Sequence, residues 1–278
     1  MGDRQSIIPN ALKVAKAVGD RVTVVHPVDS RKQHAVSSAY ADSQSFERGA
    51  KLSYEETLQK EVQKAGSALD ILLSKEASKL NFPLRVGTLI EACSLTDGLQ
   101  TAIGGRNMPL IMASTVPDGD VIDNLEEYFV MMEYFGGHTL LLPPDFEWVE
   151  EPQVMMVHDI EADDHEYLIN LLNMFKPLKM STRLIDVSHV NDFSEKEIRD
   201  KVLCQHVNNV LGDTLAVDSR LLKGEDYSAT IMEYFRENTF DWIMLPRFFS
   251  PDKGMAPFPN ELHKKALKEL NVPVLFYT

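Results

Sequence analysis

What this sequence has little of narrows its class first. It holds two cysteines in 278 residues, Cys93 and Cys204, one in each half. A disulfide framework is therefore not expected, and a reducing compartment, by default the cytoplasm, is. Positive charge is scarce, with 28 Lys and Arg against 42 Asp and Glu and a formal net charge of -14. A field of that sign repels phosphate backbones, and no basic stripe with interleaved aromatics offsets it, so no nucleic-acid partner is expected. No apolar run approaches the roughly 20 residues that cross a bilayer, and Met1 to Ser6 lacks the basic-then-apolar order of a signal peptide, so no membrane partner is expected either.

Catalytic signatures are also missing. The sequence contains no Gly-x-Ser-x-Gly elbow, no His-Glu-x-x-His, no Gly-x4-Gly-Lys-Ser/Thr and no Cys-x-x-Cys. An enzyme reading has no nucleophile with a matched base to rest on, and no cofactor is expected.

What is present is an order of elements that occurs twice. The second half alternates Val154–Val157, a helix from His165, Thr182–Val187, a helix from Ser194, Leu215–Val217, a helix from Tyr227, Trp242–Leu245, a helix from Asn260 and Val272–Tyr277. The first half runs a helix from Ser6, Val22–Val25, a long helix, Leu84–Val86, a helix from Leu95, Leu110–Met112, a helix from Asp123 and Thr139–Leu142. Apolar strands alternating with helices predict a parallel sheet covered on both faces, here an α/β fold built from two copies of one unit. Between them, Leu142 to Pro152 carries three prolines among acids, which places the boundary there. The expected domains are 1–146 and 147–278, each near the size, roughly 130 residues, that buries a core unaided.

Within the first half, Asp29 to Arg48 is polar and without period, which predicts a flexible loop feeding a long helix from about Leu52 to Leu80. That helix sets Leu58, Val62, Leu69, Leu72, Leu73 and Leu80 near one face, an ordinary core-facing stripe. In the second half, Ser194 followed by Glu197 reads as a capping box. The run His158 to His165 gathers two imidazoles and four carboxylates, plausible metal ligands by type. Acids at the opening of a helix complement its dipole, a plainer account, and no metal site is assigned. Methionines such as Met108, Met112, Met131 and Met132 fill core space.

Aligned on their ends, the halves resemble the universal stress protein family. Met156-Val-His-Asp159, and Asp3-Arg-Gln-Ser6 in the first half, are similar to that family's first strand ending in Asp. Met108–Ser114 and Asp241–Pro246 resemble its fourth strand, and Gly137–Pro143 and Val272–Tyr277 its last. The resemblance spans nearly the whole chain. It implies two tandem open five-stranded parallel sheets of flavodoxin-like type, the adenine nucleotide alpha hydrolase-like arrangement. If Asp3 closes a first strand, that strand lies upstream of Met1, so the first unit is expected to lack it and its sheet to be disturbed or completed by another segment.

The resemblance also implies what to look for. ATP-holding members carry Gly-x2-Gly-x9-Gly-Ser/Thr after strand four, where backbone amides close on the phosphates. Here those positions fall at Val116, Gly119 and Leu125-Glu126 in the first half. In the second half, Leu245 to Gly254 holds one late glycine and the Gly-Ser position falls near Asn260-Glu261. Carboxylates opening that helix repel phosphate, so ATP binding by the family's route is disfavoured. The candidate ligand crevice is the carboxyl rim of the second-half strands, with Asp159, Val187, Ser188, Pro246 and Arg247. Asp159 and Val187 match positions that contact base and ribose in ATP-holding relatives, Asp3 is the first-half counterpart of Asp159, and Arg247 could receive a carboxylate or phosphate. Contact between the units through Thr139–Leu142 and Val274–Tyr277, as an internal pseudo-dimer, is also implied, and a homodimer of chains is possible. The functional expectation is a non-catalytic stress-response protein that binds an unknown protein or small ligand. The alternative is a nucleotide-responsive sensor or weak ATPase using the second-half crevice.

Overall fold

The structure is a computed structural model that describes residues 7–19, 21–28, 44–79, 85–104, 110–116, 125–159, 165–188, 193–212, 215–249 and 257–278. In chain order the elements are α1 (Ile8–Val18), β1 (Arg21–Pro27), α2 (Gln44–Ala77), β2 (Arg85–Glu91), α3 (Leu95–Ile103), β3 (Leu110–Ser114), α4 (Leu125–Phe135) and β4 (His138–Leu142). They continue with β5 (Gln153–Val157), α5 (His165–Phe175), a 3-10 turn (Lys176–Leu178), β6 (Ser181–Ser188), α6 (Phe193–Leu211), β7 (Ala216–Lys223), α7 (Tyr227–Glu237), β8 (Trp242–Pro246), α8 (Glu261–Glu269) and β9 (Val274–Tyr277). Backbone contacts gather these into two compact units. One holds α1, β3 and everything from β4 onward; the other holds β1, α2, β2, α3 and α4.

The larger unit is built on a seven-stranded sheet in the order β3-β4-β9-β8-β5-β6-β7. The five second-half strands run parallel throughout, with β5, the first of them in sequence, in the middle. Their residues explain this placement. Val154–Val157 and the whole of β8 and β9 are buried, as strands covered on both faces must be, and they read as continuous apolar runs. By contrast β7 alternates, burying Val217 and Leu221 while Asp218 and Lys223 stay exposed, the pattern of a charged edge strand that resists further pairing. Its polar Asp218-Ser219-Arg220 stretch also made it look short; the strand runs on to Lys223 because one apolar face is enough at an edge. Asp218 pairs across the strands with Arg183 at 2.9 Å.

Toward the β3 edge of this sheet, β4 and β9 pair antiparallel, Thr139 opposite Phe276 and Leu141 opposite Val274. This is the junction that the resemblance implied between the last strands of the halves. The core beneath it includes Trp242 packed edge-on against Phe175, with Leu140, Met156, Met244 and Tyr277 all fully buried.

The smaller unit pairs β1 and β2 in parallel, Arg21 opposite Arg85 through Pro27 opposite Glu91. The first-half strands are therefore divided, β1 and β2 in a two-stranded sheet and β3 and β4 in the seven-stranded one. A single first-half sheet is not what forms. The segment around Asp3, which was to close a first strand, lies outside the described residues. Gly98 in α3 allows close packing, since a Cβ there would stand 3.2 Å from Val25 Cγ1 and 3.3 Å from Cys93 Sγ. Along α2, Leu73 is buried and Leu58, Val62, Leu69 and Leu72 are half-buried, while Leu80, the last of the expected stripe, lies outside the described residues.

Two local readings need correction. The long helix begins at Gln44 rather than near Leu52, so the end of the expected loop is helical. Gln, Glu, Arg and Ala are good helix formers, no proline interrupts them, and extending a helix costs far less than starting one. The Ser194 capping box does not form: α6 starts at Phe193, Ser194 lies inside it, and Glu197 pairs with Lys201 one turn on at 2.9 Å.

Candidate functional site: the carboxyl rim of the second-half sheet

In an open parallel sheet the ligand crevice lies where the chain order reverses, outside the carboxyl ends of the strands. Here that place is the rim of β6, β5 and β8. It brings together Asp159 just past β5, Val187 and Ser188 at the end of β6, and Pro246 and Arg247 at the end of β8. These five sequence-predicted residues do share one edge, and all are buried: Asp159 is 0% exposed, Val187 4%, Ser188 2% and Arg247 3%. Asp3, the sixth, lies outside the described residues.

Hydrogen bonds and rings gather around these strand ends. Tyr227, the first residue of α7, lies over the rim with its hydroxyl 3.3 Å from both the His158 carbonyl and Asp186 Oδ1. Asp186 Oδ1 also accepts the Val187 amide at 2.7 Å. Phe249 stacks edge-on against Tyr227 at 5.3 Å and leans on His263 at 5.9 Å. Phe258 packs against His263 at 4.9 Å and Phe276 at 6.1 Å. Aromatic rings thus form a run of contacts beside the rim from Tyr227 to Phe258, an arrangement favoured by the edge-to-face preference of their quadrupoles.

Arg247 is held within this layer. Its Nη2 donates to the Gly137 carbonyl at 2.8 Å, its guanidinium sits over the Phe258 ring at 6.0 Å, and its backbone amide donates to the Tyr277 carbonyl at 2.8 Å. The side chain thereby ties the end of β8 to the start of β4. Nearby His138 contacts the Tyr167 hydroxyl through Nδ1 at 3.2 Å. Burial, with the Arg247 charge adding to it, lowers the His138 pKa from 6.5 to about 4.

The N-terminus of α8 is where a phosphate would be received if amides were on offer. Asn260 has taken them. Its Oδ1 accepts from the Leu262 amide at 3.1 Å and the His263 amide at 3.3 Å, while its own amide donates to His263 Nδ1 at 3.1 Å. This is a capping box closed by histidine in the place usually held by Glu or Gln. With Nδ1 accepting, the ring proton sits on Nε2 and donates to the Pro246 carbonyl at 2.8 Å. Burial lowers the His263 pKa from 6.5 to about 4, with the Pro246 hydrogen bond acting the other way. The neutral imidazole thus joins the α8 cap to the end of β8. Glu261 adds a carboxylate to the same first turn.

Sequence reasoning named Asn260 and Tyr227 only as helix starts, with Asn260 also near the lost Gly-Ser position, and did not single out His263 or Asp200. The last forms a buried pair with His158, Nε2 to Oδ1 at 3.1 Å. A signal existed: Asp200 occupies the same face of α6 as Leu203, Val207 and Leu211, and a charged residue in that register needs a buried partner. His158 and Asp159 lie inside this rim while His165 is exposed, so the imidazoles of the His158 to His165 run do not converge. Among the described residues no group of three or more His, Cys, Asp or Glu side chains is placed to hold a metal ion. Among them, too, no helix is long and apolar enough to cross a membrane. Cys93 and Cys204 form no disulfide.

No family model matches the sequence, and no curated protein does. Solved structures are similar in fold. A universal stress protein from Archaeoglobus fulgidus matches with a TM-score of 0.66 at 11% identity, covering 100% of this chain and 95% of that one. A protein described as a universal stress protein from Pseudomonas aeruginosa matches with a TM-score of 0.52 at 11% identity, over 92% of each chain. A functionally unknown protein from the same species matches with a TM-score of 0.50 at 12% identity, covering 76% of this chain and 77% of that one. The chain has the α/β fold of universal stress protein structures.

Proposed function

We propose that this is a non-catalytic, cytoplasmic protein of universal stress protein type that acts in stress response by binding a partner or small ligand, without the family's phosphate cradle. In this reading two repeats, 1–146 and 147–278, form an internal pseudo-dimer through β4 and β9. The observation that carries it is the self-capped start of α8, where Asn260 occupies the Leu262 and His263 amides that would otherwise meet a phosphate. The burial of Asp159 and Ser188 and the Phe258 ring against the Arg247 guanidinium support it, since a small ligand would need that rim to open.

Thermal denaturation with ATP, AMP and cyclic nucleotides tests the reading, since a ligand that prefers the native state raises the midpoint. At millimolar nucleotide the midpoint is expected to stay where it is. A rise with any of them favours the alternative, a nucleotide-responsive sensor using the second-half crevice.

A further inference from the structure

Two helices expose aliphatic and aromatic side chains that nothing in the fold requires. On α6, Ile198, Val202 and Val210 are 64%, 62% and 55% exposed. β-branched residues lower helix propensity, so they do not serve the helix itself. Ile198, Val202 and Leu203 line an open, shallow groove of about 600 Å³ together with His165, Arg199 and His206. The groove contains no carboxylate among these six. Arg199 pairs with Glu195 on its own helix at 2.6 Å. An exposed pair of this kind is weak, so its guanidinium can be shared with an incoming acid.

The complementary surface lies on α4. Val130 and Tyr134, one turn apart and so on one face, are 64% and 61% exposed. Glu126 and Glu133, both exposed, flank them. This is an acidic helix face with an apolar centre. It complements in charge a groove lined by apolar side chains and nitrogen donors, in the manner of helix-in-groove recognition. Exposed apolar patches bordered by polar groups mark interaction sites, and here the two patches on one chain complement each other.

We propose that the α5–α6 groove of one chain receives the α4 face of a second copy of this chain, Val130 and Tyr134 entering against Ile198 and Val202 while Glu126 and Glu133 meet Arg199, His165 and His206. The contact is heterologous, so it builds closed dimers where two contacts form reciprocally and longer assemblies where they do not. Chains of net charge -14 repel at long range, which makes local complementarity the requirement for association. This contact does not depend on whether the second-half crevice takes a ligand.

Sedimentation equilibrium of the full chain, from micromolar to hundreds of micromolar, tests it. The wild type is expected to gain mass with concentration. Val202→Glu, which places a carboxylate in the groove, and Val130→Glu, which places one at the centre of the α4 face, are each expected to weaken association at least about tenfold. Both positions are solvent-facing, so the fold tolerates the changes, and circular dichroism verifies that. A mixture of the two variants is expected to regain a 1:1 complex, because Val202→Glu keeps an intact α4 face and Val130→Glu an intact groove. A wild type that stays monomeric, a Val202→Glu variant that associates as wild type does, or a mixture that remains monomeric overturns the proposal.

Discussion

Acidifying this protein should destabilise it above the pH at which most carboxylates titrate, because His138 and His263 are buried where the neutral ring is favoured. His263 accepts from the Asn260 amide through Nδ1, so a proton there would face another donor; His138 lies buried beside the Arg247 charge. Both have a folded pKa near 4 against 6.5 for the free side chain. The folded pKa is depressed, so above 6.5 neither state holds the proton and the full stability is present. As pH falls from 6.5 toward 4 the unfolded chain takes up protons that the folded chain refuses, and stability is lost throughout that window. Each histidine then costs about 1.4 kcal/mol per pH unit, roughly 3 kcal/mol over the whole interval. At pH 5 the two together remove about 4 kcal/mol, a large share of the 5–15 kcal/mol typical of a folded protein. Asp and Glu with ordinary pKa values near 4 contribute little between pH 6.5 and 5. Urea unfolding at pH 7.5, 6.0 and 5.0 measures the slope, and the double variant His138→Gln/His263→Gln should flatten it, whatever its absolute stability. A wild-type loss below about 1 kcal/mol between pH 7.5 and 5.0, or an unchanged slope in the double variant, refutes the reasoning.

Two further outcomes follow from the geometry. A Cβ on Gly224 would stand 1.9 Å from Thr230 Oγ1 and 2.9 Å from its Cβ; Gly224→Ala should therefore cost about 1–3 kcal/mol and lower the midpoint of a thermal melt by several degrees. Asn260→Ala removes both side-chain bonds to the Leu262 and His263 amides and should cost about 1–2 kcal/mol in urea unfolding, while Asn260→Asp, which keeps an acceptor, should recover most of it.

The parts of the fold that were legible in the sequence are those set by period and composition. Val154–Val157, Trp242–Leu245 and the last strand are uninterrupted apolar runs, and such runs have few alternatives to a doubly covered parallel strand. The edge strand β7 was read short because Asp218 and Arg220 break its apolar run, although an edge needs only one buried face. The division of the first-half strands between two sheets depends on pairing partners, which no local pattern encodes. At the rim, Asp159, Ser188 and Arg247 were legible as strand-end residues on one edge. The aromatic cluster beside them was not, because Tyr227, Phe249 and the Phe258–His263 pair come from different parts of the chain and meet only in three dimensions. The histidine that closes the α8 cap stands at the right spacing from Asn260, but capping boxes are ordinarily recognised by Glu or Gln.

The account turns on amides at the start of α8 that are already engaged by Asn260. Titrating isotope-labelled protein with ATP and following the backbone amide resonances of Leu262 and His263 reads those groups directly. The two resonances are expected to stay in place up to millimolar ATP. A saturable shift of either, accompanied by shifts at Ser188 or Arg247, would mean that the cap opens to a phosphate and that the rim is a nucleotide site after all.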